Sequence, residues 1–307
     1  RIQIPLRVAP SYLADAEDGY KRQSLGGGWL GLPLAHELQQ ACHNIRTSTR
    51  RPERQKEIQK SGSETYLYDI ETLNQPQSAD KDSIQNNPEF LQGDILIINI
   101  TNKNIEAFKA LITQIERSPI RKVLFISSTS VYADSTELNP DPITEDDLSA
   151  LQSCPLLDIE NLLSSQQHFE TSIIRLSGLI GYQRHPGRFF LQRHDNQEPS
   201  CKPIRNPDGY VNLIHRDDCI GIIQALLKQD SWGEIFNGCS SQHPTRREFY
   251  TWAIADYSHN DTIEMNFSTD HTQSYKIIDG SKVNTHLGYS LQQNDIFNCY
   301  FDPVKAI

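Results

Sequence analysis

The sequence predicts an α/β fold in which a doubly wound parallel sheet is joined to a smaller mixed α/β lobe. A glycine-rich stretch at 26–31 runs directly into a helical pattern, in which leucines recur at helical spacing. Two apolar runs, 94–100 and 123–126, are typical of parallel strands that are covered on both faces. Because predicted strands and helices alternate through residue 126, we expect the sheet to be doubly wound.

The glycine stretch predicts a dinucleotide-binding loop. It fits the pattern G-x-G-x-x-G at the start of a helix, where glycines allow a tight turn, a close approach to a pyrophosphate and a close contact between helix and strand. A plain turn is the alternative, because glycine clusters also serve that purpose. The residues that we expect to bind the cofactor here are Gly26, Gly28, Trp29, Leu30 and Gly31.

The chain before this loop fits the fold less well. Residues 20–25 should form the first strand, but they are mostly polar, whereas the first strand of such a sheet is normally buried and apolar. The more apolar segment 2–8 is the alternative for that place. Residues 1–19 are otherwise predicted to be an N-terminal extension.

The second predicted strand, 44–49, favours NADP as the cofactor, with NAD as the alternative. A site for NAD usually places Asp or Glu about 20 residues after the glycines to bind the ribose 2′-hydroxyl, whereas a 2′-phosphate favours Arg. No acid occurs in residues 44–51. We therefore expect Thr49, Arg50 and Arg51 to face the 2′-phosphate, although a solvated basic loop would give the same pattern.

Two residues at the ends of later strands complete the predicted cofactor site. Asp69 lies at the end of the third strand, 65–70, where its carboxylate could meet the adenine amino group or serve as a turn acid. Asn99 lies near the end of the apolar run 94–100 and is assigned to the cofactor as well.

The composition excludes several classes of function. No apolar run approaches the roughly 20 residues that a membrane span needs. The formal net charge of -10 argues against a nucleic-acid partner, because phosphate binding favours a basic face. We expect a small-molecule substrate, no membrane partner, and a homodimer as the candidate assembly.

The cysteines indicate a reducing compartment. The chain has 6 of them, without a C-x-x-C pair or a short Cys/His cluster, so neither a disulfide scaffold nor a zinc site is predicted, and no metal is expected. The N-terminal residues lack the pattern of a signal peptide. We therefore expect a cytoplasmic protein with free thiols.

Three segments carry a resemblance to a known superfamily. The second buried strand runs into the hydroxyl-bearing residues 127–132, residues 175–181 read R-L-S-G-L-I-G, and residues 212–218 read N-L-I-H-R-D-D. In this order and spacing, over roughly residues 25 to 295, the chain resembles the extended short-chain dehydrogenase/reductase superfamily, in its NAD-dependent epimerase/dehydratase group.

The resemblance implies two lobes. The dinucleotide-binding Rossmann domain would comprise 20–181 with about 211–230, and the substrate lobe would comprise 182–210 with 231–307. The segment 182–210 is rich in cations and aromatics and is expected to overhang the cleft. The residues that we assign to the substrate are Thr129, Ser130, Tyr182, Arg184 and Arg188.

The resemblance also implies a catalytic arrangement that this chain has only in part. It assigns Ser128 as the hydroxyl that binds the reacting oxygen, although a serine at a strand end also serves as a cap. The family's Tyr-x-x-x-Lys pair, in which lysine lowers the tyrosine pKa, is missing. Alignment through Glu160 places Gln152 and Leu156 at those positions, and Leu156 lies on an apolar helix face. The candidate substitutes for proton transfer are Tyr132, Tyr182 and His185.

Other polar residues are expected to have structural roles. His215 is interpreted as a packed histidine, and Asp217 and Asp218 as caps of the helix that follows. Thr245 and Glu248 have the spacing of a capping box.

These features predict an NAD(P)-binding protein of the epimerase/dehydratase type. It would act as an oxidoreductase or epimerase on a carbonyl, alcohol or sugar-nucleotide substrate without the usual tyrosine and lysine. A non-catalytic NAD(P)-binding sensor or regulatory module is the alternative, which the missing pair favours. A structural remnant with neither activity nor cofactor is a third hypothesis.

Overall fold

The structure is a computed structural model that describes residues 21–41, 44–60, 62–74, 86–192, 200–259, 263–269 and 274–301. The predicted N-terminal extension and the alternative first strand lie outside these residues. So do Cys42 and the part of the predicted substrate lobe at 193–199.

The fold is α/β and is built on a seven-stranded parallel sheet, as predicted. The strands are β1 Arg22–Leu25, β2 Ile45–Thr49, β3 Glu64–Leu67, β4 Ile95–Ile98, β5 Lys122–Ser128, β6 Glu170–Leu176, β7 Gly178–Ile180, β8 Leu191–Gln192, β9 Ser200–Cys201, β10 Leu213–His215 and β11 Ile235–Gly238. The helices are α1 Gly31–Gln40, α2 Pro52–Gln59, α3 Ile105–Glu116, α4 Pro155–Ser164, α5 Arg216–Gln229, α6 Arg246–Ser258 and α7 Ser281–Leu287. The order in the large sheet is β11-β6-β5-β4-β1-β2-β3.

The described residues fall into two compact units. The first unit comprises those up to Leu124 together with Gln166–Glu170, and the second unit comprises Phe125–Ser165 and those from Thr171 onward. Within the second unit, β7 pairs with β10 in parallel and β8 pairs with β9 in antiparallel orientation. The predicted domain boundaries remain a prediction.

The polar segment before the glycine loop does form the first strand. β1 pairs with both β2 and β4, so it lies inside the sheet although three of its four residues are polar. Gln23 and Ser24 are completely buried. Space for Gln23 comes from Gly93, where an added Cβ would collide with the Gln23 amide. Pairing on both sides therefore makes β1 an inner strand of the sheet, although its low hydrophobicity did not predict a buried strand.

In the second unit, β11 pairs with β6 in parallel, although residues 231–307 were assigned to the substrate lobe. The predicted capping box is confirmed at α6, where Thr245 Oγ1 accepts from Glu248 N at 3.2 Å and Glu248 Oε2 accepts from Thr245 N at 2.9 Å. The interpretation of His215 as a packed residue is also confirmed, because the ring is buried and its Nε2 lies 2.8 Å from Tyr300 O.

The structure corrects in part the prediction that Asp217 and Asp218 cap α5. The N-cap side chain is His215, whose Nδ1 accepts from Asp217 N at 3.2 Å. Asp218 is completely buried and does not cap the helix. Its carboxylate binds the backbone of a later segment, where it accepts from Gln292 N at 2.6 Å and from Gln293 N at 2.9 Å. Among the described helices, none has both the length and the apolar character required to cross a bilayer.

Candidate functional site

A cavity of about 460 Å³ lies in the first unit, where four neighbouring strands end. It is lined by Leu25 at the end of β1 and Thr49 at the end of β2, and by Tyr68 and Asn99, which follow β3 and β4. This is the carboxyl edge of a parallel sheet, the usual ligand position in such folds.

The glycine loop forms one wall of this cavity. Gly26 has φ of 114°, and an added Cβ there would collide with Asn99 O, so this position requires glycine. Gly28 differs, because an added Cβ would meet nothing within 4 Å. Gly28 therefore leaves open space in the cavity wall and does not serve internal packing.

The remaining predicted residues of the glycine motif pack against the loop and do not face the cavity. Gly31 is the first residue of α1, and a Cβ there would collide with Gly26 O. Leu30 is buried. Trp29, Leu30 and Gly31 do not line the cavity, so of the predicted loop residues only Gly26 and Gly28 do.

The predicted phosphate-facing residues Thr49, Arg50 and Arg51 all line the cavity. Thr49 Oγ1 accepts from Arg51 N at 3.1 Å, which fixes the backbone after β2. Both arginine side chains are exposed, and within the part of the chain that the structure describes neither guanidinium has an ion-pair partner. Arg54 lines the cavity too, with its Nε 3.1 Å from Glu57 Oε2.

Other residues that line the cavity are acids and amides. Asp69 lines the cavity and also serves as the turn acid, since its side chain accepts from Glu71 N at 3.1 Å. Contact with adenine remains a prediction. Glu71 accepts from Asn102 Nδ2 at 2.6 Å and Asn104 Nδ2 at 2.8 Å. The signal that could have found Glu71 and Asn102 is that each lies in the segment that follows a strand of this sheet edge, as Asn99 does.

In the second unit, Ser128 is the last residue of β5 and is half-buried. Its Oγ accepts from Ser130 N at 3.2 Å, so it caps the short turn that follows. The hydroxyl proton of Ser128 has no acceptor among the described residues. A substrate oxygen could accept it. Of its neighbours, Thr129 is buried and Ser130 is exposed.

Tyr132, a candidate acid or base, lies in the interior of the second unit, and its role in proton transfer remains a prediction. The ring is completely buried, and its hydroxyl donates to Asn237 Oδ1 at 2.9 Å and accepts from Arg175 Nη1 at 2.8 Å. Burial raises the pKa of this phenol, although the Arg175 guanidinium acts in the opposite direction. Arg175 pairs with Glu160 at 2.7 Å, and Glu160 also accepts from Ser127 Oγ. Tyr132 is therefore part of a buried structural network.

The two positions that alignment gives to the family's tyrosine and lysine have other roles here. Gln152 is exposed, and its Nε2 donates to Ser130 O at 2.9 Å and to Tyr132 O at 3.2 Å. Leu156 is buried with Ile159 on the inner face of α4. One position thus supports the turn after β5, and the other packs in the core.

No protein-family model matches the chain. It is 30% identical over 286 residues to Protein YeeZ of Escherichia coli (strain K12), which covers 88% of this chain and 95% of that protein. The chain belongs to the family of Protein YeeZ. Protein YeeZ of Escherichia coli O157:H7 matches with the same identity and coverage.

Solved structures confirm the predicted α/β fold with a parallel sheet. A mutant of UDP-glucuronic acid 4-epimerase from Bacillus cereus, in complex with NAD and a fluorinated UDP-sugar, has a TM-score of 0.69 at 18% identity, over 93% of this chain and 99% of that chain. A short-chain dehydrogenase/reductase superfamily protein from Agrobacterium tumefaciens with bound NAD has a TM-score of 0.67 at 16% identity, over 91% and 94%.

In this member of the YeeZ family, the predicted substrate residues after β7 are largely held by their neighbours. Tyr182 is buried and donates to Asp217 Oδ2 at 2.6 Å, and burial is the main cause that raises its pKa. Arg188 is exposed and donates to Gln183 O at 3.0 Å, and Arg184 is half-buried. Their contact with a substrate remains a prediction.

His185, the third candidate for proton transfer, is also held on both sides. Its Nε2 lies 2.9 Å from Asp256 Oδ2, and its Nδ1 accepts from Gly187 N at 3.2 Å. Burial lowers the pKa of this imidazole against the opposing effect of Asp256. Both ring nitrogens therefore have protein partners. In the described part of the chain, no group of three or more His, Cys, Asp or Glu is placed to bind a metal ion.

Proposed function

We propose that the chain binds NADP in the cavity of the first unit and acts as an oxidoreductase or epimerase on a carbonyl, alcohol or sugar-nucleotide substrate. The observation that carries this proposal is one cavity that combines the glycine loop at Gly26 and Gly28 with the exposed cations Arg50 and Arg51. Structures of the same fold that hold NAD support a dinucleotide at this edge of the sheet.

The residues of the cavity fit the parts of NADP. The open space at Gly28 would accept the pyrophosphate, beside the N-terminus of α1 where backbone N–H groups favour anions. Arg50 and Arg51 would pair with the 2′-phosphate, because guanidinium groups bind phosphate through parallel hydrogen bonds. When bound, the cofactor would supply hydride transfer.

The chain's own contribution to chemistry would be the hydroxyl of Ser128. Its oxygen is fixed by the hydrogen bond from Ser130 N, so its proton is free to be donated to the reacting oxygen of the substrate. Such a donor stabilises the oxygen most when negative charge develops on it.

The cofactor assignment is tested by titrating NADP and NAD into the full chain and into the double variant Arg50→Met/Arg51→Met. We expect the variant to lose at least tenfold in NADP affinity while NAD affinity changes little, since only NADP carries the 2′-phosphate. Lys56→Met is the matched control, because Lys56 is an exposed cation of α2 that does not line the cavity. Equal losses for both cofactors would contradict the proposed role of the arginines.

The activity is tested by following reduced nicotinamide absorbance with a panel of sugar nucleotides and carbonyl compounds. With the substrate found, Ser128→Ala should slow turnover at least tenfold. Unchanged turnover in that variant would remove Ser128 from the mechanism.

A second function is favoured by Gln152 and Leu156, which leave the usual acid-base positions without a titrating group. In that case the chain would be a non-catalytic NAD(P)-binding sensor or regulatory module. Tight NADP binding without turnover across the whole panel would support this function over the enzyme.

A further inference from the structure

We propose that Lys276 is the anchor for an anionic oxygen of the substrate, a carboxylate or a phosphate, in the second unit. This inference rests on the proposed function, because it names the substrate class that this part of the chain would select. It begins from the turn after β5, where Tyr132 O accepts two hydrogen bonds from side chains that are far apart in sequence.

The first observation is where the Lys276 ammonium lies. Its Nζ donates to Tyr132 O at 2.8 Å, and Gln152 Nε2 donates to the same oxygen at 3.2 Å. The two nitrogens are therefore neighbours across one carbonyl group. Alignment gives the family's tyrosine position to Gln152. The Lys276 ammonium therefore lies next to the residue that replaces the catalytic tyrosine.

The second observation is that two acceptors orient the Lys276 ammonium, which has one further N–H donor. Lys276 Nζ is 2.9 Å from Asp134 Oδ1, and Asp134 Oδ2 in turn accepts from Ser274 Oγ at 2.5 Å. An ammonium group has three N–H donors, and the described residues supply acceptors for two of them. The lysine side chain is 18% exposed, so part of it remains open to a ligand.

The chemistry of this arrangement selects an anion. A fixed ammonium donor forms short, charge-assisted hydrogen bonds with carboxylate or phosphate oxygens, and a preoriented donor loses little side-chain entropy on binding. The exposed hydroxyl of Ser130 lies on the same turn, whose carbonyl Gln152 also holds. An uncharged substrate would leave the third N–H to solvent.

The competing explanation is that Lys276 only fastens its own segment to the turn. Lys282 provides the comparison, since its Nζ pairs with Glu234 Oε2 at 2.9 Å and its side chain is 25% exposed. The two lysines thus have similar ion pairs and similar exposure. A purely structural role would leave ligand binding unchanged in Lys276→Met, as in Lys282→Met, whatever the two substitutions do to stability.

The experiment is a calorimetric titration of the full chain with UDP-glucuronate and with UDP-glucose, each with and without saturating NADP. We expect the wild type to bind UDP-glucuronate and Lys276→Met to bind it at least tenfold more weakly. Lys282→Met should bind as the wild type does. A loss confined to UDP-glucuronate identifies the sugar carboxylate as the anchored group, and an equal loss for both ligands identifies a phosphate.

The inference is overturned if Lys276→Met binds as the wild type does, or if the wild type binds neither sugar nucleotide. It is also overturned if Lys282→Met loses as much affinity as Lys276→Met, because the loss would then not depend on the place of Lys276. Thermal unfolding of each variant separates lost binding from lost folding. Failure of NADP to bind would defeat the proposed function alone, since the titrations without NADP report on Lys276 independently.

Discussion

Arg175 Nη2 lies 2.7 Å from Glu160 Oε2, and the two side chains are only 3% and 2% exposed. The same guanidinium donates to Tyr132, and the same carboxylate accepts from Ser127 Oγ, so the pair joins the end of β5 to α4 and β6. A buried ion pair need not add net stability, but removal of one partner leaves an uncompensated charge in the interior.

We therefore expect Glu160→Gln to lower the free energy of unfolding by about 3–5 kcal/mol, as is typical for breaking a buried pair. Urea unfolding of the full chain measures this change. The control is Glu57→Gln, which removes a partner from the more exposed Arg54–Glu57 pair and should cost less than about 1 kcal/mol. Similar costs for both variants would show that Glu160→Gln does not leave Arg175 as an uncompensated buried charge.

The glycine loop gives a prediction that separates folding from binding. Gly26→Ala places a side chain at a φ of 114° and against Asn99 O, so it should destabilise the chain by roughly 1–3 kcal/mol. Gly28→Asp meets no protein atom near its Cβ, so stability should change by less than about 0.5 kcal/mol while NADP affinity falls at least tenfold through repulsion of the pyrophosphate. Thermal unfolding and NADP titration of both variants measure the two effects. A Gly28→Asp variant that binds NADP normally would place the pyrophosphate elsewhere.

Much of this cavity could be predicted because its chemistry lies at strand ends, which sequence patterns mark. The glycine loop and Thr49, Arg50, Arg51 and Asp69 were located in this way, and all of them line the cavity except the loop residues behind its wall. The first strand was poorly marked, because β1 is buried through pairing on both sides and carries polar residues.

The network around Tyr132 could not be predicted from the sequence for a different reason. Its members come from separate elements, as Glu145 and Asn237 show: Asn237 N donates to Glu145 Oε1 at 2.5 Å across 92 residues of sequence. A tyrosine after a run of hydroxyl residues looks the same whether it lines a cleft or is buried. Lys276 was missed in the same way, because its neighbours Asp134 and Gln152 are distant in the chain.

The buried carboxyl of Glu145 predicts a pH dependence of stability. Burial raises its pKa above the usual 4.5, against the lowering effect of the hydrogen bond from Asn237 N. The folded state therefore binds the proton more tightly than the unfolded state, and this contribution to stability is lost as the pH rises through the folded pKa. Glu145→Gln keeps an acceptor oxygen without a charge, so its stability relative to wild type should increase as the pH rises above 4.5.

Urea unfolding of Glu145→Gln and wild type across this pH range measures the difference. Glu248→Gln is the control of opposite sign, because the hydrogen bonds from Thr245 lower the pKa of Glu248. As the pH rises from below the folded pKa of Glu248 to above 4.5, that variant should lose stability relative to wild type, because the folded state favours the ionised carboxylate. If Glu145→Gln instead became less stable than wild type as the pH rose, the ionised form of Glu145 would be the one that the fold favours.

The cysteines should differ strongly in reactivity, although all five in the described residues are free thiols. Cys154 is half-buried at the start of α4, whereas burial raises the pKa of Cys239 to about 12 from the usual 9.0. Because the thiolate is the reactive form, Cys239 should carry roughly a thousandfold less of it than an ordinary thiol. Iodoacetamide should therefore alkylate Cys154 first in the native protein, and Cys239 only after unfolding in urea. Peptide mass spectrometry measures each site separately, and equal native rates for the two would mean that the β11 end opens readily to solvent.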